Sequence, residues 1–171
     1  MAADRRVVIT DCNHADVSQE RGILRDAHVD LERADCHTEE DVIREGAGAT
    51  VLISQYAPVT ARVFEALPSL RLVVRYGAGV DNVDVDAATR HGVWVANVPD
   101  YCTEEVADHA IQLMLCLLRG IVRLDRSVHY GRWNYEDGQP LRRLRTLVLG
   151  VVGCGRIGTL QRHAQERFRC A

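Results

Sequence analysis

The chain has 171 residues, 47% hydrophobic and 26% charged, which is ordinary for a globular protein. That length holds one full domain but not comfortably two. A net charge of −3 gives no electrostatic basis for binding nucleic acid. All 21 basic residues are Arg, so Schiff-base and P-loop lysine chemistry are excluded.

Six cysteines, at 12, 36, 102, 116, 154 and 170, include no C-x-x-C pair, so no metal site is expected. Met1-Ala-Ala-Asp-Arg-Arg runs directly into Val7-Val8-Ile9-Thr10, unlike a signal peptide. No apolar run approaches the ~20 residues that span a membrane. The expected setting is the cytoplasm, with reduced thiols and no membrane partner.

In chain order, Val7–Thr10, Ala27–Leu31, Thr50–Ser54, Arg71–Val74 and Val93–Ala96 read as strands. Their Val/Ile/Leu runs lack polar alternation, as in a buried parallel sheet. Ser18–Arg25, Glu39–Glu45, Ala61–Leu67 and Asp86–Arg90 read as the helices between them. Asp84 or Asp86 caps the last helix, and Gly92 follows its end. Alternating elements of this kind predict an α/β fold with a doubly wound parallel sheet over about residues 1–97.

A long helix is then expected from Thr103 to Val128, spanning about 40 Å at ~1.5 Å per residue, with Gly120 as a possible bend. Thr103 is placed to cap it, and Glu104 and Glu105 suit its positive end. Val106, Ala110, Leu113, Leu117, Ile121, Leu124 and Val128 form an apolar stripe, which Ala107, Ile111, Met114, Leu115 and Leu118 widen. A helix this apolar needs partners on two sides, so a domain bridge or dimer interface is expected. Residues 130–141 read as a loop with Trp133 as a packing anchor. Leu147–Val152 is expected to be a strand, followed by a helix whose apolar face is Ile157, Leu160, Ala164 and Phe168.

Three segments carry candidate chemistry. Gly153-Cys-Gly155-Arg156-Ile157-Gly158 is G-x-G-x-x-G between a predicted strand and helix. Gly153 permits the turn, Gly155 lets backbone approach a pyrophosphate, and Gly158 lets the helix pack closely. The acid that holds the ribose lies ~20 residues further on, at or past the last residue, which leaves NAD and NADP undistinguished. The second segment, Arg75-Tyr76-Gly77-Ala78-Gly79-Val80-Asp81-Asn82-Val83-Asp84, follows a strand with uncovered amides. Spacing leaves a carboxylate nest and a plain turn equally open. In the third, Val98–His109, Glu105 and His109 share a helix face at i,i+4 and fit a surface or interface pair better than an acid–base pair. Cys102 has no base at recognisable spacing to make it a nucleophile.

Arg75–Asp84, Asn97-Val98-Pro99, Tyr101–His109, Gly131-x-Trp133 and Gly153–Gly158 occur in an order that resembles the D-isomer-specific 2-hydroxyacid dehydrogenases. The wording is most similar to the phosphoglycerate dehydrogenase-like and C-terminal-binding-protein-like branch, and covers about residues 50–158. The resemblance implies a flavodoxin-like substrate-binding domain over 1–97. Over 98–171 it implies the start of an incomplete NAD-binding Rossmann domain: a long helix and the first βα unit. It also implies NAD(P)-dependent hydride transfer on the CH–OH of a 2-hydroxy acid, with NAD the cofactor and NADP left open. Ala78 and Gly79 amides, with Tyr76, would hold a 2-hydroxy or 2-oxo acid. Gly153, Gly155, Arg156, Ile157 and Gly158 would meet the dinucleotide, with Cys102 or Thr103 near its nicotinamide. A second copy would pack on the 103–128 helix.

No residue matches the family's catalytic Arg, Glu and His, so no catalytic residue is assigned. The chain is expected to be a truncated, inactive form with open apolar faces on Leu147–Val152 and the long helix. Gln161, Arg162 and His163 also stand where the family carries small or apolar residues. The alternative is a non-catalytic module that binds small carboxylates or dimerises.

Overall fold

The computed structural model describes residues 5–167. Contacts divide the chain between Tyr101 and Cys102 into two compact units. The first unit alternates β1 (Arg6–Ile9), α1 (Ser18–Asp26), β2 (Asp30–Arg33), α2 (Glu39–Glu45), β3 (Val51–Ser54), α3 (Ala61–Ala66), β4 (Leu72–Arg75), α4 (Val85–Arg90) and β5 (Trp94–Ala96). Every strand pairing is parallel and the order is β2-β1-β3-β4-β5. This is the flavodoxin-like doubly wound order, which reverses direction between β1 and β3.

Register explains the core. Val8, Leu52, Val73 and Val95 are aligned across β1, β3, β4 and β5, so their side chains form one row on one sheet face. Val42 of α2, Val63 and Phe64 of α3, and Ala87 and Ala88 of α4 close over that row. The opposite face is covered unevenly: Val7 and Ile9 are buried, Val51, Ile53, Leu72 and Val74 are half-buried, and Trp94 on the edge strand is exposed. α1 contributes no buried residue.

Local signals set several helix ends. Thr38 and Asp41 form a reciprocal capping box: the Asp41 amide donates to Thr38 Oγ1 at 3.2 Å, and the Thr38 amide donates to Asp41 Oδ2 at 3.1 Å. Thr38 and Arg44 also hydrogen-bond Asp41, which holds its carboxyl well below the usual range. Asp84, rather than Asp86, caps α4 by accepting from the Ala87 amide at 2.8 Å.

The second unit contains α5 (Thr103–Leu118), α6 (Ile121–His129), two 3-10 turns (Tyr135–Gly138 and Leu144–Thr146) and α7 (Arg156–Arg167). Three expectations change here. The 103–128 helix is two helices, because Gly120 adopts φ +63° and ends the first. A Cβ at Gly120 would lie 2.5 Å from the Gly138 carbonyl oxygen, so the break is also a close backbone approach. Thr103 is the first helical residue, not a cap; Cys102 takes the cap position, and its side chain makes no capping hydrogen bond.

The third change is that Leu147–Val152 forms no strand. A strand needs a neighbour to satisfy its amides and carbonyls. Among the described residues of this unit there is none. Val148 and Val152 are fully exposed, and Leu113 and Leu117 on α5 are exposed too. Trp133 is 93% exposed and so anchors nothing within the described residues. Phe168 lies outside the described residues, and the Ala164 side chain is likewise undescribed.

Candidate functional site

The loop after β4 is built around Gly77 and Arg75. The Tyr76 amide continues the sheet by donating to the Ser54 carbonyl at 2.8 Å. Gly77 then takes φ +152°, and its amide turns back to the Arg75 carbonyl at 2.8 Å. A Cβ on Gly77 would fall 1.4 Å from Arg75 Nη1, so the guanidinium occupies the volume a side chain would need. Arg75 Nη1 donates to the Tyr76 carbonyl at 3.2 Å, while Arg75 Nε is buried with no hydrogen-bond partner.

The next residues present backbone donors. Ala78 and Gly79 are exposed, and their amides donate to no acceptor among the described residues. The loop is nonetheless fixed from behind. Asn97 Nδ2 donates to the Ala78 carbonyl at 2.7 Å, and the Val98 amide donates to the Gly77 carbonyl at 3.0 Å. Fixed, adjacent and unpaired amides beside a cation are chemically suited to an oxyanion or carboxylate.

Tyr76 is held in one place. Its hydroxyl donates to Glu20 Oε1 at 2.9 Å, and the His14 ring meets it edge-on, with centroids 5.4 Å apart and planes at 82°. Burial and the Glu20 carboxylate push the phenol pKa up, so the ring remains a neutral donor. With His14, Gln55, Gly77, Val98 and Tyr101 it lines a cavity of about 260 Å³.

A buried polar network supports this loop, and sequence reasoning missed it. Asp11, at the end of β1, is 7% exposed. Its Oδ1 accepts from the Gln55 amide at 3.0 Å, and its Oδ2 accepts from the Tyr56 amide at 2.6 Å. Thr10 and Ser54 hydroxyls also donate to it, at 3.0 and 3.3 Å. Asn82 Nδ2 reaches Ser54 Oγ at 3.2 Å and the Ala57 carbonyl at 2.9 Å, which ties the β4 loop to the same network. The amides at the β1/β3 reversal are therefore filled by an internal carboxylate, while those at 78 and 79 stay open. The available signal was Thr10-Asp11, polar residues directly following a buried strand.

In the second unit the three glycines have three different environments. Gly153 sits at φ +93°. A Cβ on Gly155 would meet nothing within 4 Å. One on Gly158 would lie 2.0 Å from the Gly153 carbonyl oxygen and 3.3 Å from Val151 Cγ1. Turn, open approach and close packing are the roles expected of a dinucleotide-binding turn. α7 starts at Arg156, so amides of Arg156 and Ile157 lie at a helix N-terminus, where phosphate is favoured. A nicotinamide dinucleotide fits this cradle because the open side at Gly155 is where its pyrophosphate would come closest.

The remaining candidates are placed as follows. Thr103 and Cys102 are half-buried at the start of α5. Glu105 and His109 are exposed on that helix, and no hydrogen bond or ion pair joins them among the described residues. Among the described residues, no His/Cys/Asp/Glu group could hold a metal ion, and no helix is long and apolar enough to cross a membrane.

Residues 7–170 match the family model described as D-isomer specific 2-hydroxyacid dehydrogenase, catalytic domain. A glyoxylate reductase from Korarchaeum cryptofilum is 44% identical over 105 residues, covering 59% of this chain and 31% of that protein. A D-3-phosphoglycerate dehydrogenase from Methanocaldococcus jannaschii is 34% identical over 154 residues, 90% of this chain and 28% of that protein. Among solved structures, D-lactate dehydrogenase from Aquifex aeolicus, complexed with NAD and lactic acid, has a TM-score of 0.85 and 26% identity over 95% of this chain and 49% of its own. The chain thus spans about a third of the two curated relatives and half of that solved structure. On the match that runs over nearly its whole length, this chain belongs to the D-isomer specific 2-hydroxyacid dehydrogenase family.

Proposed function

We propose that this chain supplies two binding elements of a nicotinamide-dependent 2-hydroxyacid dehydrogenase: a carboxylate nest at Tyr76–Gly79 and a pyrophosphate turn at Gly153–Gly158. The observation that carries the reading is the pair of unpaired amides at Ala78 and Gly79 beside the partnerless Arg75 Nε. In this reading the amides bind the carboxylate common to 2-hydroxy and 2-oxo acids. Arg75 adds the compensating charge. Tyr76, pinned by Glu20, walls the substituent.

Gly155, Arg156 and Ile157 would receive the dinucleotide, with Thr103 near its nicotinamide. The bound nicotinamide would supply the hydride acceptor or donor. The family's general acid–base role has no match on this chain, so the chain alone is proposed to bind but not to turn over. The exposed apolar side chains of Leu113 and Leu117 on α5 and of Ile121, Val122 and Val128 on α6 support self-association through the 103–128 segment.

Calorimetric titration with pyruvate and NADH separately tests the two elements. Both are expected to bind. Gly77→Val should remove only pyruvate binding, and Gly155→Val only NADH binding. Loss of both ligands with either variant, at unchanged circular dichroism, would contradict two separate elements.

A further inference from the structure

We infer that the cavity beside the nest selects acids whose substituent is an uncharged alkyl or aryl group, and discriminates against phosphorylated or dicarboxylic acids; this rests on the proposed carboxylate nest. The cavity is lined by His14, Gln55, Tyr76, Gly77, Val98 and Tyr101. Gly77 lines this cavity and immediately precedes the two open amides, so the nest and the cavity adjoin.

The cavity wall has few polar atoms to offer. Gln55 Oε1 already accepts from the Asn13 amide at 2.8 Å. Gln55 Nε2 donates to Asn13 Oδ1 at 2.8 Å and to Tyr56 Oη at 3.4 Å. The Tyr76 hydroxyl is committed to Glu20. The His14 and Tyr76 rings pack against each other in a T-shaped pair. Ring surfaces and the Val98 side chain therefore make up much of the accessible wall.

Charge points the same way. No Arg is among the six lining residues, and the charged group directly behind Tyr76 is the Glu20 carboxylate. Arg75 packs beneath Gly77 and is matched to the first carboxylate. A second anion would find no Arg on this wall, only the His14 ring, with the Glu20 carboxylate behind Tyr76, whereas an apolar group loses only its contact with water. The relatives include enzymes named for both phosphorylated and non-phosphorylated acids, and this wall fits the non-phosphorylated group.

The test is a titration of the 171-residue chain with acetate, pyruvate, phenylpyruvate and 3-phosphoglycerate, reading the Ala78 and Gly79 amide resonances. Phenylpyruvate is expected to bind at least about ten-fold tighter than acetate, with 3-phosphoglycerate no tighter than acetate. Tightest binding by 3-phosphoglycerate, with those amides shifted, would overturn the selectivity while leaving the nest standing. Equal affinities with the amides shifted would likewise remove the cavity's role. Failure of all four to shift the amides would overturn the nest and the selectivity together.

Discussion

At the scale of single residues, the first unit depends on how two charges are handled. Asp11 is buried and fully engaged, accepting from two backbone amides and two hydroxyls. Removing it leaves the Gln55 and Tyr56 amides inside without an acceptor, while the two hydroxyls keep the Ile53 and Ala57 carbonyls. Asp11→Ala should therefore cost about 2–4 kcal/mol of stability, read by urea unfolding. A loss below the range of an ordinary surface substitution would mean that water replaces the carboxylate. Cys36 shows a second effect of burial. It is 1% exposed, and desolvation pushes its thiol up from 9.0 to about 11. In brief alkylation at neutral pH it should react last among the described cysteines, well behind exposed Cys154. Because the folded thiol holds its proton more tightly than the unfolded one, its contribution to stability is intact below pH 9.0 and is lost as pH rises toward about 11.

At the scale of elements, the glycine turn makes opposite demands at two positions. Gly155 faces open space, so Gly155→Ala should keep the α7 circular dichroism signal and weaken NADH binding. Gly158 packs against the Gly153 carbonyl, so Gly158→Ala should disturb the turn itself and alter both signals. Equal effects of the two substitutions on helix content would contradict this division. The same elements show what a sequence makes legible. α2 coincides with its expected span because Thr38 and Asp41 specify its start locally. The strands of the first unit lie within a few residues of expectation because apolar runs recur between capped helices. Leu147–Val152 has an equally strong apolar run, yet forms no strand, because pairing is supplied by other residues and not by the run. The open amides of Ala78 and Gly79 were legible as an alternative. The proposal of a nest rests on Arg75 filling the Gly77 side-chain volume and on those amides having no acceptor among the described residues. The role of Asp11 was not legible, since Thr10-Asp11 marks only a polar end to a buried strand and not the four donors that meet there in space.

For the whole molecule, two compact units share one chain. The first has its sheet order, register and a buried core. In the second, α5 and the 147–152 segment leave apolar side chains exposed, Leu117 at 76% among them. Leu117→Arg should shift the sedimentation profile toward monomer without lowering the thermal midpoint; an unchanged profile would place self-association elsewhere. The family assignment fixes ancestry for the chain, whereas its chemistry rests on whether the β4 loop binds a carboxylate. The most direct measurement is an amide-resolved NMR titration of the chain with pyruvate. Ala78 and Gly79 should show the largest, saturable shifts, and Gly77→Val should abolish them. Saturable binding that leaves both amides unmoved would contradict the nest.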